Sequence, residues 1–419
     1  MKQIPKKVAI LGCGFGGMYT AKRLLPYVQS GHIDLSIVNA TNYFLFTPLL
    51  HEVATGGLSP TSVVESIRDI FGKYPVTIYE DIPESIDTQK KNINLGERIL
   101  SYDYLVIATG AETHYYNTPG AKQFGLPLKS IDDANKIKNT IIENFEAAAR
   151  TQDADERKAL LSFVIVGGGA TGVEFAAELP QFCTLLLKRY FKYSSIAAAD
   201  ITIKLITAGP ELLSHFAPAL RTKVMSHLAA QGVHVHLGMP IAKVTATGVQ
   251  AKDGTEIISK NVFWLAGVKP VTLPFSDNTQ IALSPSGRLE TDAYLRVVGH
   301  TNIFAFGDMA STQDKDKKEL PMLAQVAAAQ APIVAHNIIA AIQNKPFKMC
   351  VFKNKGSMIS LGQWFAVGEI YSINIAGKFA WWIWRTVYLF KFPSWRKRFA
   401  IAAEWTANLF YPRDIAKSR

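Results

Sequence analysis

Val8-Ala-Ile-Leu-Gly12-Cys-Gly14-Phe15-Gly16-Gly17 is a run of apolar, strand-forming residues that breaks into glycines and gives way to the helical pattern of Met18 to Tyr27. Glycine at 12 lets the strand turn tightly, glycine at 14 lets backbone approach a pyrophosphate, and glycine at 17 lets the following helix pack on the sheet. The helix start adds N–H groups and the positive end of its dipole. The stretch reads as a dinucleotide cradle. A second copy follows about 155 residues later, Phe163-Val-Ile-Val-Gly167-Gly-Gly169-Ala-Thr-Gly172-Val-Glu174, again behind an apolar strand. Two cradles in one chain imply two nucleotides.

A chain of 419 residues has room for two or three domains, and 48% hydrophobic with 19% charged residues suits an ordered globular protein. Cys13, Cys183 and Cys350 are too few and too scattered for a disulfide framework or a metal cluster. We therefore expect no metal and a reducing compartment. Met1 to Lys7 leads straight into the first strand, so no signal peptide is expected. The net charge of +11 is concentrated at the end of the chain, where residues 351–419 carry eleven Lys or Arg against three acids. Six of the seven tryptophans lie there too. Cations attract anionic headgroups while indoles settle at the interface, so this segment is expected to bind an anionic membrane surface. Nucleic acid is not the expected partner, because the aromatics alternate with Ile, Leu and Val.

Ile33–Val38 reads as the second strand of a βαβ unit, ending at Asn39 where an acid usually accepts a hydrogen bond from the adenosine ribose. Asparagine accepts that bond without charge. Asn42 to His51 is an aromatic loop, either capping the sheet or walling a flat apolar ring, with a helix expected to start near Ser59-Pro60. After short strands between Val76 and Ile99, Tyr104-Leu-Val-Ile-Ala108-Thr109-Gly110 returns to the sheet and offers a second backbone loop to the nucleotide. A helix is expected from Ile131 to Ala149, and an insertion from Cys183 to Asp200 delays the strand Ile201–Ile206. Thr207 follows that strand with no Lys or Arg close behind to hold a 2′-phosphate, which favours NADH over NADPH. Asn261 to Gly267 mirrors the Ala-Thr-Gly strand, so the second nucleotide domain is read as inserted into the first. Thr301 to Ala310 is a buried strand ending in Gly307-Asp308, an acid suited to the hydroxyls of a ribityl chain. An Ala-rich helix then carries Ala324, Gln325 and Gln330. Phe379–Phe390 is apolar on nearly all sides but far shorter than the ~20 residues that cross a bilayer. Beyond Pro393, an apolar face of Trp395, Phe399, Ala402, Trp405 and Leu409 is expected opposite Arg396, Lys397, Glu404 and Asn408.

These motifs resemble the type II NADH dehydrogenases within the two-dinucleotide flavoproteins. The resemblance covers nearly the whole chain: both cradles, Phe44 to Leu50, Glu52 to Gly57, Ala108-Thr-Gly, Ala266-Gly-Val, Phe306-Gly-Asp308, Leu320 to Ala327, Lys355-Gly-Ser and the Trp-rich end. The departures are Asn39, Thr207 and Ala331. It implies an α/β fold with two Rossmann-like domains, the second inserted in the first, plus a C-terminal amphipathic membrane-associating segment. The expected boundaries are 1–115 and 285–345 for the FAD domain, 116–284 for the NADH domain and 346–419 for the membrane region.

The resemblance further implies FAD held by Gly12, Gly14, Phe15, Gly16, Gly17, Asn39, Thr47, Pro48, Ala108, Thr109, Gly110, Gly307, Asp308, Ala324 and Gln325. NADH would lie on Gly167, Gly169, Gly172, Glu174, Thr207 and Gly267. Gln325 and Gln330, with Pro48, Leu49 and Lys355, would face a membrane quinone, and Glu174 would shape the site or relay a proton. The implied activity is hydride transfer from NADH to FAD and two-electron reduction of quinone without proton pumping. The implied location is peripheral, on the cytoplasmic face of the cell membrane, and a homodimer stays open. Two alternatives remain. One is a sulfide:quinone oxidoreductase, for which Cys183 and Cys350 would have to act as a redox pair. The other is a redox-sensing flavoprotein that binds NADH and a partner.

Overall fold

Val8, Ala9, Ile10 and Leu11 are buried, as the middle strand of a parallel sheet covered on both faces requires. The computed structural model describes residues 4–276, 281–314, 318–411, 413 and 415–417, which divide into two compact units. The first comprises 1–45, 64–112 and 268–353. Its sheet runs, in spatial order, Ile303–Ala305, Tyr104–Ile107, Lys6–Leu11, Ile33–Asn39 and Val76–Glu80, every pair parallel. Parallel neighbours need crossovers, and helix Phe15–Gln29 supplies the first. That helix packs on Ala324–Gln343, where fully buried Thr20 and Ala331 allow close approach and Thr20 Oγ1 donates to the Ala331 carbonyl at 3.5 Å. Ala324–Gln343 is long and apolar enough to cross a bilayer by length and composition. Its buried residues, among them Val326, Val334 and Ile338, belong to the core of this unit.

The second unit comprises 46–63, 113–267 and 354–419. Its sheet runs Val233–His236, Thr202–Ile206, Ser162–Val166 and Asn261–Trp264, again all parallel. Helix Ile131–Arg150 begins on a capping box, with Ser130 and Asp133 satisfying each other's backbone N–H groups. The end of the chain adds an antiparallel sheet, Gly356–Ser360, Ala366–Ile370 and Ile373–Gly377, followed by helices Lys378–Phe390 and Trp395–Ala407. Residues 354–419 thus group with the unit that carries the second cradle.

Three local expectations change. The helix expected near Ser59-Pro60 is one 3-10 turn, Pro60–Ser62, before the strand Val64–Ser66. The second cradle's helix runs through Cys183 to Leu185 and ends in a π turn, Leu186–Tyr190. In the last helix the expected apolar face splits: Trp405 is buried and Ala402 and Leu409 are half-buried, whereas Trp395 and Phe399 are exposed, and Ile401, outside the expected face, is buried as well. Its expected water face is partly engaged instead, since Glu404 accepts from Ser59 N–H and Ser62 Oγ while Asn408 Nδ2 donates to the Gly57 carbonyl. Segment 57–62 covers that flank of the helix, so hydrogen bonding overrides simple amphipathicity there.

Each cradle closes on a backbone contact. A Cβ on Gly17 would lie 1.8 Å from the Gly12 carbonyl oxygen, and one on Gly172 would lie 2.0 Å from that of Gly167. Gly17→Ala and Gly172→Ala are therefore expected to prevent folding of their units, read as loss of soluble protein with native circular dichroism.

Candidate active site

The first cradle is shaped by backbone. Gly12 has φ +89°, a left-handed conformation, and a Cβ there would strike the Ala108 carbonyl oxygen at 2.4 Å. Gly14 is different, because a Cβ there would meet nothing within 4 Å. Position 14 faces open space at the start of Phe15–Gln29, a helix whose start no side chain caps. Asn39, at the end of the second strand, turns its Oδ1 to accept the Cys13 N–H at 2.7 Å and donates from Nδ2 to the Thr41 carbonyl at 2.8 Å. Its first task is to hold the glycine loop. Thr109, beside the loop, has a buried Oγ1 that finds no partner among the described residues. Phe15 packs edge-on against Phe44, 5.2 Å between ring centres.

Asp308 sits half-buried in the turn Gly307–Met309. Gly307 has φ +67° and its Cβ would crowd Ala327, so glycine is required there. Gln330 is 1% exposed, and its Oε1 accepts the Gly307 N–H at 2.8 Å. This glutamine fixes the aspartate's turn. Ala324 and Gln325, at the start of the same helix, are half-buried. Thr47, Pro48, Leu49 and Lys355 belong to the second unit, with Thr47 and Lys355 exposed.

The second cradle repeats the first. Gly167 has φ +133° and packs on Leu265, a Cβ on Gly169 would meet nothing within 4 Å, and no side chain caps helix Ala170–Leu185. Thr207 stands against Gly168, and Gly267 is covered by the Tyr116 ring. Tyr116 carried no signal in the sequence. It reaches Gly267 because its own backbone adopts φ +50°.

Helix Ala170–Leu185 also places Glu174 and Glu178 one turn apart, facing helix Leu50–Ala54 with His51 and Glu52. Glu174 is buried; its Oε1 accepts the Ser360 N–H at 3.2 Å and its Oε2 lies 4.0 Å from His51 Nδ1. Burial raises its carboxyl well above the usual carboxylate range, and the charges of Glu52 and Glu178 add to the effect. His51 is neutral at physiological pH, lowered to about 4 chiefly by burial. Its Nε2 has no partner among the described residues. Glu52 accepts the Trp405 indole N–H at 2.8 Å. Burial and the neighbouring Glu178 push it up, Arg385, Trp405 and Arg413 pull it back, and it settles at about 7. Glu178 is ion-paired with Arg413 at 2.7 Å, and the Arg385 guanidinium lies 3.8 Å over the Trp381 ring. Sequence reading passed over His51, Glu52, Glu178, Arg385 and Arg413 as site residues. The available signal was charge inside apolar runs, Leu-Leu-His-Glu-Val-Ala and Trp-Trp-Ile-Trp-Arg.

The pyridine nucleotide-disulphide oxidoreductase family profile matches residues 6–331, and the NDH2 C-terminal domain profile matches 354–414. The chain is 30% identical over 424 residues to type II NADH:quinone oxidoreductase Ndh of Mycobacterium tuberculosis, covering 97% of this chain and 89% of that protein. The chain belongs to the type II NADH dehydrogenases. The enzyme transfers electrons from NADH to quinone. It is also 30% identical over 409 residues to demethylphylloquinone reductase NdbB of Synechocystis, covering 95% of each. Its fold matches NDH2 from Plasmodium falciparum solved in complex with NADH, with TM-score 0.88, 23% identity and coverage of 98% and 100%. The sulfide:quinone oxidoreductase of Aquifex aeolicus shares the fold at TM-score 0.74 and 19% identity, covering 94% and 91%. That alternative is set aside by the family. Here all three cysteines are free, and burial raises their thiols, Cys13 to about 12.

Because Glu52 releases its proton near pH 4.5 when unfolded and near 7 when folded, the folded state loses stability as pH rises across that window. The stability of Glu52→Gln relative to the parent is expected to improve between pH 4.5 and 7 and then stay level, as thermal melts across a pH series would show.

Proposed function

We propose that the first unit holds FAD and the second NADH, and that the last two helices seat the enzyme on the membrane that carries its quinone. The observation that carries this reading is the pair of uncapped cradles, Gly14 and Gly169, each with open space where a side chain would project. In the first, the backbone after Gly12 takes the pyrophosphate, Asn39 keeps that loop in place and offers its remaining lone pair to the ribose, and the orphaned Thr109 hydroxyl fits a polar cofactor edge. Asp308, its turn pinned by Gln330, accepts from ribityl hydroxyls. In the second, Thr207, with no Lys or Arg among the residues that directly follow it in the sequence, supports NADH over NADPH.

Bound FAD would supply hydride acceptance and two-electron delivery. The chain's own task is to orient the two nucleotides and to handle protons. Gln325 offers a neutral amide to the quinone. Glu174, whose carboxyl burial raises well above the usual carboxylate range, is the proton donor toward the acceptor, while the Ser360 N–H steadies the carboxylate left behind.

Seating on an anionic surface is supported by Phe379, Trp382, Phe390, Trp395 and Phe399, all exposed on the two final helices beside Lys378, Arg396 and Arg398. We place this surface on the cytoplasmic face of the cell membrane.

Valine at a cradle's open position should test cofactor placement without disturbing the fold, since overpacking there costs about 1–3 kcal/mol. Gly14→Val is expected to yield folded, colourless protein. Gly169→Val is expected to stay yellow while binding NADH about tenfold more weakly or worse. Isothermal titration and the flavin spectrum read both; the opposite pattern would reverse the assignment.

Trp395→Asp with Phe399→Asp is expected to weaken binding to phosphatidylglycerol vesicles about tenfold or more, each buried aromatic being worth on the order of 1.5–3 kcal/mol. Sedimentation with vesicles measures it. Unchanged lipid binding together with conversion of a dimer to monomer would make this face a subunit contact.

A further inference from the structure

Quinone reduction has a proton imbalance that the chain must meet. NADH delivers two electrons and one proton as hydride, whereas a quinol carries two added protons, so one proton per turnover comes from water. Glu174 cannot collect it directly, being only 6% exposed.

A polar cavity lies a short distance away in the same unit, with a volume of about 40 Å³. One water needs about 10–15 Å³, so the cavity has room for about three. Glu52, Glu178, Arg385, Asn408 and Arg413 contribute to its lining. Glu52 and His51 are consecutive residues of one helical turn, Leu50–Ala54. Glu52 borders the cavity, while His51 reaches 4.0 Å from Glu174 and keeps a buried Nε2 with no partner among the described residues.

We propose that this cavity is the inlet for the solvent proton, with Glu52 taking the proton from cavity water and passing it on to Glu174. The proposal rests on the reading of Glu174 as proton donor. A new O–H bond forms on the Glu52 carboxylate as a hydronium proton arrives. That bond then breaks as the proton moves, through His51 or cavity water, to the Glu174 carboxylate that has just given its own proton to the acceptor oxygen. Nothing is oxidised or reduced in these steps; the electrons are those of NADH.

The groups that set Glu52's proton affinity come from several of the elements around it. Glu174 and Glu178 face it from helix Ala170–Leu185, Arg385 from Lys378–Phe390, Trp405 from Trp395–Ala407, and Arg413 from beyond that helix. Glu178 is tied to Arg413, which also donates to the Thr55 carbonyl at 3.2 Å, so that carboxylate is committed to an ion pair. Among the described residues the donor to Glu52 is a neutral indole, joined by more diffuse charge, and this balance leaves it able to exchange near neutrality.

Glu52→Gln keeps an acceptor for Trp405 and removes the titrating group. In the FAD-loaded enzyme we expect quinone-dependent kcat to fall on the order of tenfold or more, with KM for quinone held, because a lost proton-transfer group costs that much or more. Two further readouts separate proton transfer from packing. The solvent deuterium isotope effect rises, and a small weak acid such as formate restores the rate. Infrared titration of the resting enzyme should also lose a carboxyl band that titrates near pH 7. Unchanged kcat overturns the proposal, as does a lowered kcat with no isotope effect and no rescue. If Glu52→Gln fails to fold, Leu409→Phe narrows the cavity while leaving every titratable group in place; it must lower kcat and raise the isotope effect, and unaltered values overturn the inlet. Glu174→Gln keeps the two readings apart. Slowed turnover there with normal turnover in Glu52→Gln removes only the inlet, whereas normal turnover in Glu174→Gln removes the donor role on which it rests.

Discussion

Backbone crowding between a strand's end and the next helix's start is the constraint on which both units depend. At Gly17 and Gly172 the helix comes so close to the preceding loop that a methyl group has no place to go. That closeness aims the first turn of each helix at the space in front of Gly14 and Gly169. The two sheets also share an order, with the cradle strand between its βα partner and a later returning strand. In the first unit, Ile303–Ala305 pairs on the far side of Tyr104–Ile107, so a chain segment distant in sequence completes the sheet and delivers Asp308 to its end.

Much of this was legible in the sequence, because it lies in short-range pattern. Apolar strand, glycines and helix follow one another within a dozen residues, and the short hydrophobic runs at Tyr104 and Asn261, each ending at a glycine, suit buried parallel strands. What was not legible depends on long-range packing. Residues 46–63 lie between two segments of the first unit in sequence yet fold with the second. No local periodicity records that. Once Glu404 and Asn408 bind 57–62, the last helix presents Trp395 and Phe399 outward, a rotation that amphipathic counting alone would not find.

Side chains read as ligand contacts also turn out to hold backbone. Asn39 was read for a ribose and spends its best hydrogen bond on Cys13; Gln330 was read for a quinone and spends its carbonyl on Gly307. In each case a neutral amide satisfies a buried N–H at the tightest part of a loop, where leaving it unpaired would cost about 1–3 kcal/mol. An amide does this without the desolvation cost of a carboxylate. The first unit thus places its cofactor-facing groups indirectly: Asp308 is positioned because Gln330 fixes Gly307, and Gly14 because Asn39 fixes Cys13.

The carboxylates of the second unit show how two arginines can order three acids. Arg413 is spent on Glu178 by direct contact, and Arg385 on the side of Glu52, braced between Trp381 and Trp405. Among the described residues neither guanidinium pairs with Glu174, which accepts one backbone N–H and lies 4.0 Å from a neutral imidazole. Direct pairing with Arg413 takes up the Glu178 charge, whereas burial raises both Glu52 and Glu174. Placing a third arginine beside Glu174 would stabilise its charged form and oppose the effect of burial. The asymmetry is consistent with a chain that raises the proton affinity of a buried acid for chemistry while Glu52 and Arg413 join its last helices to residues 46–63.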